Sequence, residues 1–106
     1  MQIRSIKSFK RDLKVLSKKY KSLPDDFENL LNSLLTNPTQ GIPLGKNCYK
    51  IRLKISSKQI GKSGGARVIT HVYIDGDTLT LLAIYDKSEQ SNISDAEIEK
   101  RLNEIV

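Results

Sequence analysis

The apolar residues of this chain change their spacing once, and that change restricts the fold more than any other feature. Phe9, Leu13, Leu16 and Tyr20 stand four, three and four residues apart, which makes one stripe along a helix. Phe27, Leu30, Leu31, Leu34 and Leu35 form a second apolar face. Ser8 is placed to cap the first helix. Pro24 suits the first turn of the second, Asp25, Asp26 and Glu28 complement its dipole, and Asn37-Pro38 ends it. Helices joined by so short a turn form an antiparallel hairpin. From residue 49 the interval becomes two: Tyr49, Ile51, Leu53 and Ile55 alternate with Lys50, Arg52 and Lys54, a strand with one apolar and one cationic face.

Further strands are expected over about Arg67–Ile74 and Thr78–Tyr85, joined at Asp75-Gly76, a hairpin turn signal. Gln2–Ile6 is a short alternating strand, and residues 39–47 (TQGIPLGKN) read as a loop. Ser94-Asp95-Ala96-Glu97 is a capping box that opens a last helix with Ile98, Leu102 and Ile105 on one face. The order is β-α-α-β-β-β-α. It predicts an α+β domain in which a small antiparallel sheet carries an N-terminal helical hairpin. The 106 residues suit one domain with no linker or repeat, spanning 1–106.

Residues 60–69, IGKSGGARVI, place Gly61-Lys62-Ser63 in the order found in nucleotide-binding loops. Such a loop needs a further glycine five residues before Gly61, and that position is Ser56. The chain then enters a β-branched run, Val68-Ile69-Thr70, where a phosphate-binding loop would enter a helix. Ser56–Gly65 is therefore read as a glycine-containing connection between two strands, carrying Lys58 and Lys62.

The net charge of +6 is unevenly distributed. Residues 1–22 hold eight cations and one acid, and residues 46–67 hold seven cations (Lys46, Lys50, Arg52, Lys54, Lys58, Lys62, Arg67) and no acid. Segregation of this kind points to a polyanionic partner, nucleic acid or an acidic protein. Lys50, Arg52 and Lys54 project from one sheet face at steps of roughly 7 Å, close to the phosphate spacing of an extended single strand. The competing reading is a solvated strand face whose lysines discourage edge pairing. The helix-1 cations fit a solvated outer face equally well.

Other chemistry is sparse. His71 stands alone in a strand, Asp75 and Asp77 shape a turn, and the single Cys48 leaves no disulfide framework. No metal site and no cofactor are expected. No apolar run approaches about 18 residues, and the basic N-terminus lacks an apolar signal core, so the cytoplasm is the expected compartment. Tyr85, with Lys87 and Glu89 close behind, could assist phosphodiester cleavage at the lip of the cationic sheet. Alternatively it is a strand-end tyrosine beside a solvated Lys/Glu pair.

Several stretches occur in an order that carries a resemblance: Ser8–Lys14 with Lys18-Lys19-Tyr20, Asn37-Pro38 with Gly41, Cys48–Leu53, Gly61–Ile69, and Ile84–Lys87. Together they resemble the RelE/ParE toxin superfamily of type II toxin–antitoxin modules, nearest its HigB/RelE-like members. The resemblance implies a small basic cytosolic toxin with two helices packed on a sheet. It implies a ribosome-dependent, metal-independent mRNA endoribonuclease that inhibits translation and is neutralised by a cognate antitoxin. Lys50 and Arg52 match the strand cations of RelE-type sites, Arg67 the arginine opening the following strand, and Lys87 a basic residue after the last strand. Lys54 keeps the basic character of its position. Ser88 stands where those enzymes carry an arginine and Ser94 where they carry a tyrosine; Tyr85 is the nearby substitute. The candidate catalytic set is Arg52, Lys54, Arg67, Tyr85 and Lys87, with Lys46, Lys50, Lys58 and Lys62 as RNA contacts. Two alternatives stay open: a ParE-like inhibitor of DNA gyrase, and a catalytically inactive toxin-like binding module.

Overall fold

The structure, a computed structural model, describes residues 1–57, 65–73 and 75–105. Five strands, β1 (Gln2–Ser5), β2 (Ile42–Gly45), β3 (Cys48–Leu53), β4 (Ala66–Tyr73) and β5 (Thr78–Asp86), form one sheet in the order β1-β5-β4-β3-β2. Three helices accompany them: α1 (Lys7–Lys19), α2 (Leu23–Thr36) and α3 (Asp95–Leu102), the last continued by a 3-10 turn at Asn103–Ile105.

The fold class holds, with two corrections. The sheet is mixed, because β1 runs parallel to β5 while the other neighbours are antiparallel. Strand direction depends on how the chain returns across the sheet, which no local pattern encodes. The second correction is β2, inside the stretch read as a loop. All four of its residues are exposed, so it has no buried face to produce alternation, and an edge strand tolerates Pro43. Its turn into β3 puts Lys46 and Asn47 at positive φ (54° and 61°) between the paired Gly45 and Cys48, the backbone of a two-residue hairpin.

One sheet face packs on α1 and α2. Phe9, Leu16, Leu23, Leu30 and Leu34 are buried there with Leu53, Val68, Leu79 and Leu81. The Phe9 and Phe27 rings lie 5.5 Å apart. In β5 one extra residue, Leu82, lies between the pairs Ile69↔Ala83 and Thr70↔Leu81, a bulge. The bulge leaves the Leu82 carbonyl to accept from the Arg101 guanidinium at 2.9 Å.

The cap of α1 differs from expectation, and that of α3 holds in its serine half. Ser8 does not cap α1; the cap position is Ile6, which offers no side-chain hydrogen bond. Ser8 lies in the first turn, and its N–H and Oγ donate to the Glu104 carboxylate at 3.2 and 2.5 Å. An acid from the far end of the chain thus satisfies an orphan helix donor and complements the dipole. At α3, Ser94 Oγ accepts from the Glu97 N–H at 3.1 Å as expected. The reciprocal half of the box is replaced, because the Glu97 carboxylate takes Arg101 Nε at 2.8 Å.

Asp26, in the first turn of α2, is 8% exposed. It accepts from Ser56 N–H (2.8 Å), Ser56 Oγ (2.6 Å) and Ser22 Oγ (2.8 Å), tying the end of the β3 segment to α2. Burial pushes the carboxyl up, but the Ser56 and then Ser22 hydrogen bonds outweigh it and hold it below the ordinary carboxylate range. A depressed folded value contributes stability above the unfolded value, and that stability is lost as pH falls through the folded one. Asp26→Asn should therefore cost about 2 kcal/mol at pH 7. In urea unfolding, the gap between parent and variant should narrow below about pH 4.

Candidate nucleic-acid interface

The second sheet face is built from transverse rows, because paired residues of neighbouring strands share a face. Arg52, Arg67 and Tyr85 form one row across β3, β4 and β5, and Lys50, Ile69 and Ala83 form the next. Sequence spacing placed the cations of β3 on one face. The register adds Arg67 and Tyr85 beside Arg52, three residues separated by up to 33 positions in the chain.

Their environments differ sharply. Arg52 is exposed and Lys50 half-buried, whereas Arg67 is 5% and Tyr85 6% exposed. Arg67 Nη1 donates to the Ala66 carbonyl at 3.1 Å. The Tyr85 hydroxyl is buried and, among the described residues, has no hydrogen-bond partner. Burial pushes the Tyr85 phenol up, and the Arg67 charge opposes that shift. A guanidinium and a free phenol hydroxyl side by side in a low-dielectric setting form a strong place for an oxyanion.

Lys87 follows β5 directly, is half-buried, and donates its N–H to the Gly65 carbonyl at 3.0 Å. Gly65 is at positive φ (86°), and a Cβ there would lie 2.7 Å from the Leu53 carbonyl oxygen. Glycine thus permits the close approach that registers β3, β4 and Lys87. The preceding residue, Asp86, is a hub that sequence reading missed. Its buried carboxylate accepts from Tyr20 Oη, from Ser88 N–H (2.9 Å) and Ser88 Oγ (2.7 Å), with Lys19 Nζ 3.8 Å away. An aspartate closing an apolar strand was the only hint. Glu89 does not face the row alone; it pairs with Lys19 at 2.8 Å.

The remaining candidates lie elsewhere. Lys54 is exposed beyond the end of β3, and its charge acts on Asp26 of α2. Lys46 sits in the β2–β3 turn at the opposite end of β3 from Arg52, paired with Glu99 at 2.5 Å. Lys58 and Lys62 lie outside the described residues. Among the described residues no cluster of three or more His, Cys, Asp or Glu could hold a metal ion, and no helix is long and apolar enough to cross a membrane.

A buried, unpartnered hydroxyl costs stability. Tyr85→Phe should therefore leave stability unchanged or raise it by about 1 kcal/mol in denaturant unfolding. A clear loss would mean that the hydroxyl has a partner in solution.

No protein-family model matches this sequence, and no curated protein matches it. Among solved structures, the chain is similar to a mutant of the E. coli toxin RelE in the free state in which two arginines are replaced by alanine. The TM-score is 0.61 at 15% sequence identity, covering 99% of this chain and 97% of that one. At that identity the likeness establishes the fold: this α+β chain has a RelE-like fold.

Proposed function

We propose that this protein is a RelE-type toxin that cleaves mRNA on the ribosome and is held in check by a cognate antitoxin. The observation that carries the reading is the row Arg52–Arg67–Tyr85. It is supported by the acid-free cationic stretch 46–67 and by the RelE fold. In the proposed reaction the ribose 2′-oxygen loses its proton and attacks the adjacent phosphorus. The O2′–P bond forms as the P–O5′ bond breaks, leaving a 2′,3′-cyclic phosphate and a 5′-hydroxyl that takes up a proton.

Each residue has a distinct part in this scheme. Arg52, exposed at the mouth, meets the incoming phosphate. Arg67, buried behind it, neutralises charge that grows on the non-bridging oxygens, where a low dielectric strengthens the interaction. The Tyr85 hydroxyl, buried beside Arg67 and without a partner among the described residues, is the donor available to the same oxygens once RNA seats against the row. Lys87 adds a cation beyond Tyr85, on a backbone fixed by Gly65 and Asp86. The row contains no carboxylate or imidazole, so electrostatic stabilisation rather than a strong base is the main catalytic contribution.

The test is induced expression in a bacterium with transcript 5′ ends mapped minutes later. New ends inside translated codons, absent from untranslated RNA, are expected. Arg52→Ala, at an exposed position, should reduce cleavage about 100-fold with unchanged unfolding. Arg67→Lys keeps the charge but loses the planar fork, and should retain only part of the activity. Growth arrest with intact transcripts would overturn the reading and direct attention to another target such as gyrase. Unimpaired cleavage by Arg52→Ala would remove the row from the chemistry.

A further inference from the structure

The far end of the same sheet face holds a groove. α3 crosses the strands. Ile98 shares a hollow with Cys48 of β3, Arg101 reaches the Leu82 carbonyl of β5, and Glu104 reaches Ser8 of α1. The helix therefore divides the face. On one side lies the row Arg52–Arg67–Tyr85. On the other, His71, Thr80 and Arg4 form a row across β4, β5 and β1, followed by Tyr73, Thr78 and Gln2. Arg67 and Tyr73 are six residues apart in β4, about 20 Å.

This second end is a groove of about 560 Å³, within the roughly 300–1,000 Å³ of small-ligand sites. Its floor is His71, Tyr73, Thr78 and Thr80, and its walls are the β1–α1 junction and the 3-10 turn. Tyr73 is 54% exposed, an unusual state for an aromatic strand residue, and Ile105 is exposed opposite. Burial holds the His71 imidazole below its ordinary value, so near neutrality it offers one donor and one acceptor. Arg4 and Lys7 line one rim. Among the described residues neither pairs with an acid; Arg4 meets only the neutral Gln2 Oε1 at 3.2 Å. The one acid among the described lining residues, Glu104, is committed to Ser8. The groove thus combines an open ring, a neutral hydrogen-bonding floor and a rim of unpaired positive charge.

We infer that this groove binds a nucleoside phosphate, with the base stacked on Tyr73 and its phosphate between Arg4 and Lys7. The same chemistry is available from a free mononucleotide or from a nucleotide of single-stranded RNA. The site is separate from the proposed cleavage row and needs no ribosome, so it stands or falls without that reading.

The test is amide chemical-shift mapping on the whole 15N-labelled protein, titrated separately with 5′-AMP, 5′-UMP and a single-stranded tetraribonucleotide. Shifts should centre on Arg4, Lys7, His71, Tyr73 and Thr80. Saturation by mononucleotides identifies free nucleotide as sufficient, whereas groove shifts with the tetramer alone identify the RNA chain as the source. Tyr73→Leu should weaken binding at least about fivefold, the low end of base–aromatic stacking, and Tyr73→Phe should retain it. Arg4→Gln with Lys7→Gln should lower the salt slope of tetramer binding by about 0.7 per cation removed. The charge-matched Lys14→Gln with Lys18→Gln, on the outer face of α1, should not. Absence of groove shifts, shifts confined to Lys50 and Arg52, or equal binding by Tyr73→Leu would overturn the inference. So would shifts produced by a polyglutamate peptide but by none of the nucleotides, which would assign the groove to an acidic protein.

Discussion

The Arg101 guanidinium joins three elements at one point. Its Nη1 donates to Asp12 of α1 at 2.6 Å and to the Leu82 carbonyl of β5 at 2.9 Å, while Nε holds Glu97 within α3. Burial penalises this charge, and the hydrogen bonds to Glu97 and Asp12 more than offset the penalty, leaving the group firmly protonated. A half-buried cation paired on several sides tolerates little displacement, since losing one partner leaves part of the desolvation cost uncompensated. Together with Glu104 on Ser8, this contact seats α3 across a sheet whose other face is already covered by α1 and α2. β5 is consequently buried along nearly its whole length.

Covering both faces sets the character of the two polar regions that α3 separates. At one end Arg67 and Tyr85 are side by side and almost dry, with the tyrosine hydroxyl unpartnered among the described residues. A well-packed core would normally exclude such a group. Retained polar cost of this kind is expected where a site must present donors to something that is not part of the protein. At the other end, beyond the 3-10 turn, Tyr73 and the cations of the β1–α1 junction remain open.

Much of the fold was legible because periodic patterns encode it directly. The stripes Phe9–Leu13–Leu16 and Leu30–Leu34 report the buried side of each helix, and the alternation through Ile51 and Leu53 reports the sheet. β2 escaped because an edge strand with no buried face carries no period. The cap of α1 escaped because its acceptor, Glu104, is 96 positions from Ser8. Of the site residues, Arg52 and Lys50 were legible as the cationic side of an alternating strand. Lys54 shares that alternation, but the strand ends before it, and Lys46, in the stretch read as a loop, lies in the turn at the other end of β3. Asp86 and Asp26 escaped because a single acid gives no sign of the hydroxyls that will surround it.

By itself, then, the sequence determined the element types other than β2, the segregation of positive charge onto β3 and its flanks, and the helical hairpin, since these depend on residues within a turn or a strand of one another. Only the tertiary structure decided that β1 joins β5 in parallel, that Arg67 and Tyr85 stand beside Arg52, and that all but Arg52 of these three are buried. It also decided that α3 divides the face into two ends. The reason is common to all of them: register, strand direction and desolvation arise between segments distant in the chain, where packing of the whole core rather than local preference sets the lowest free energy.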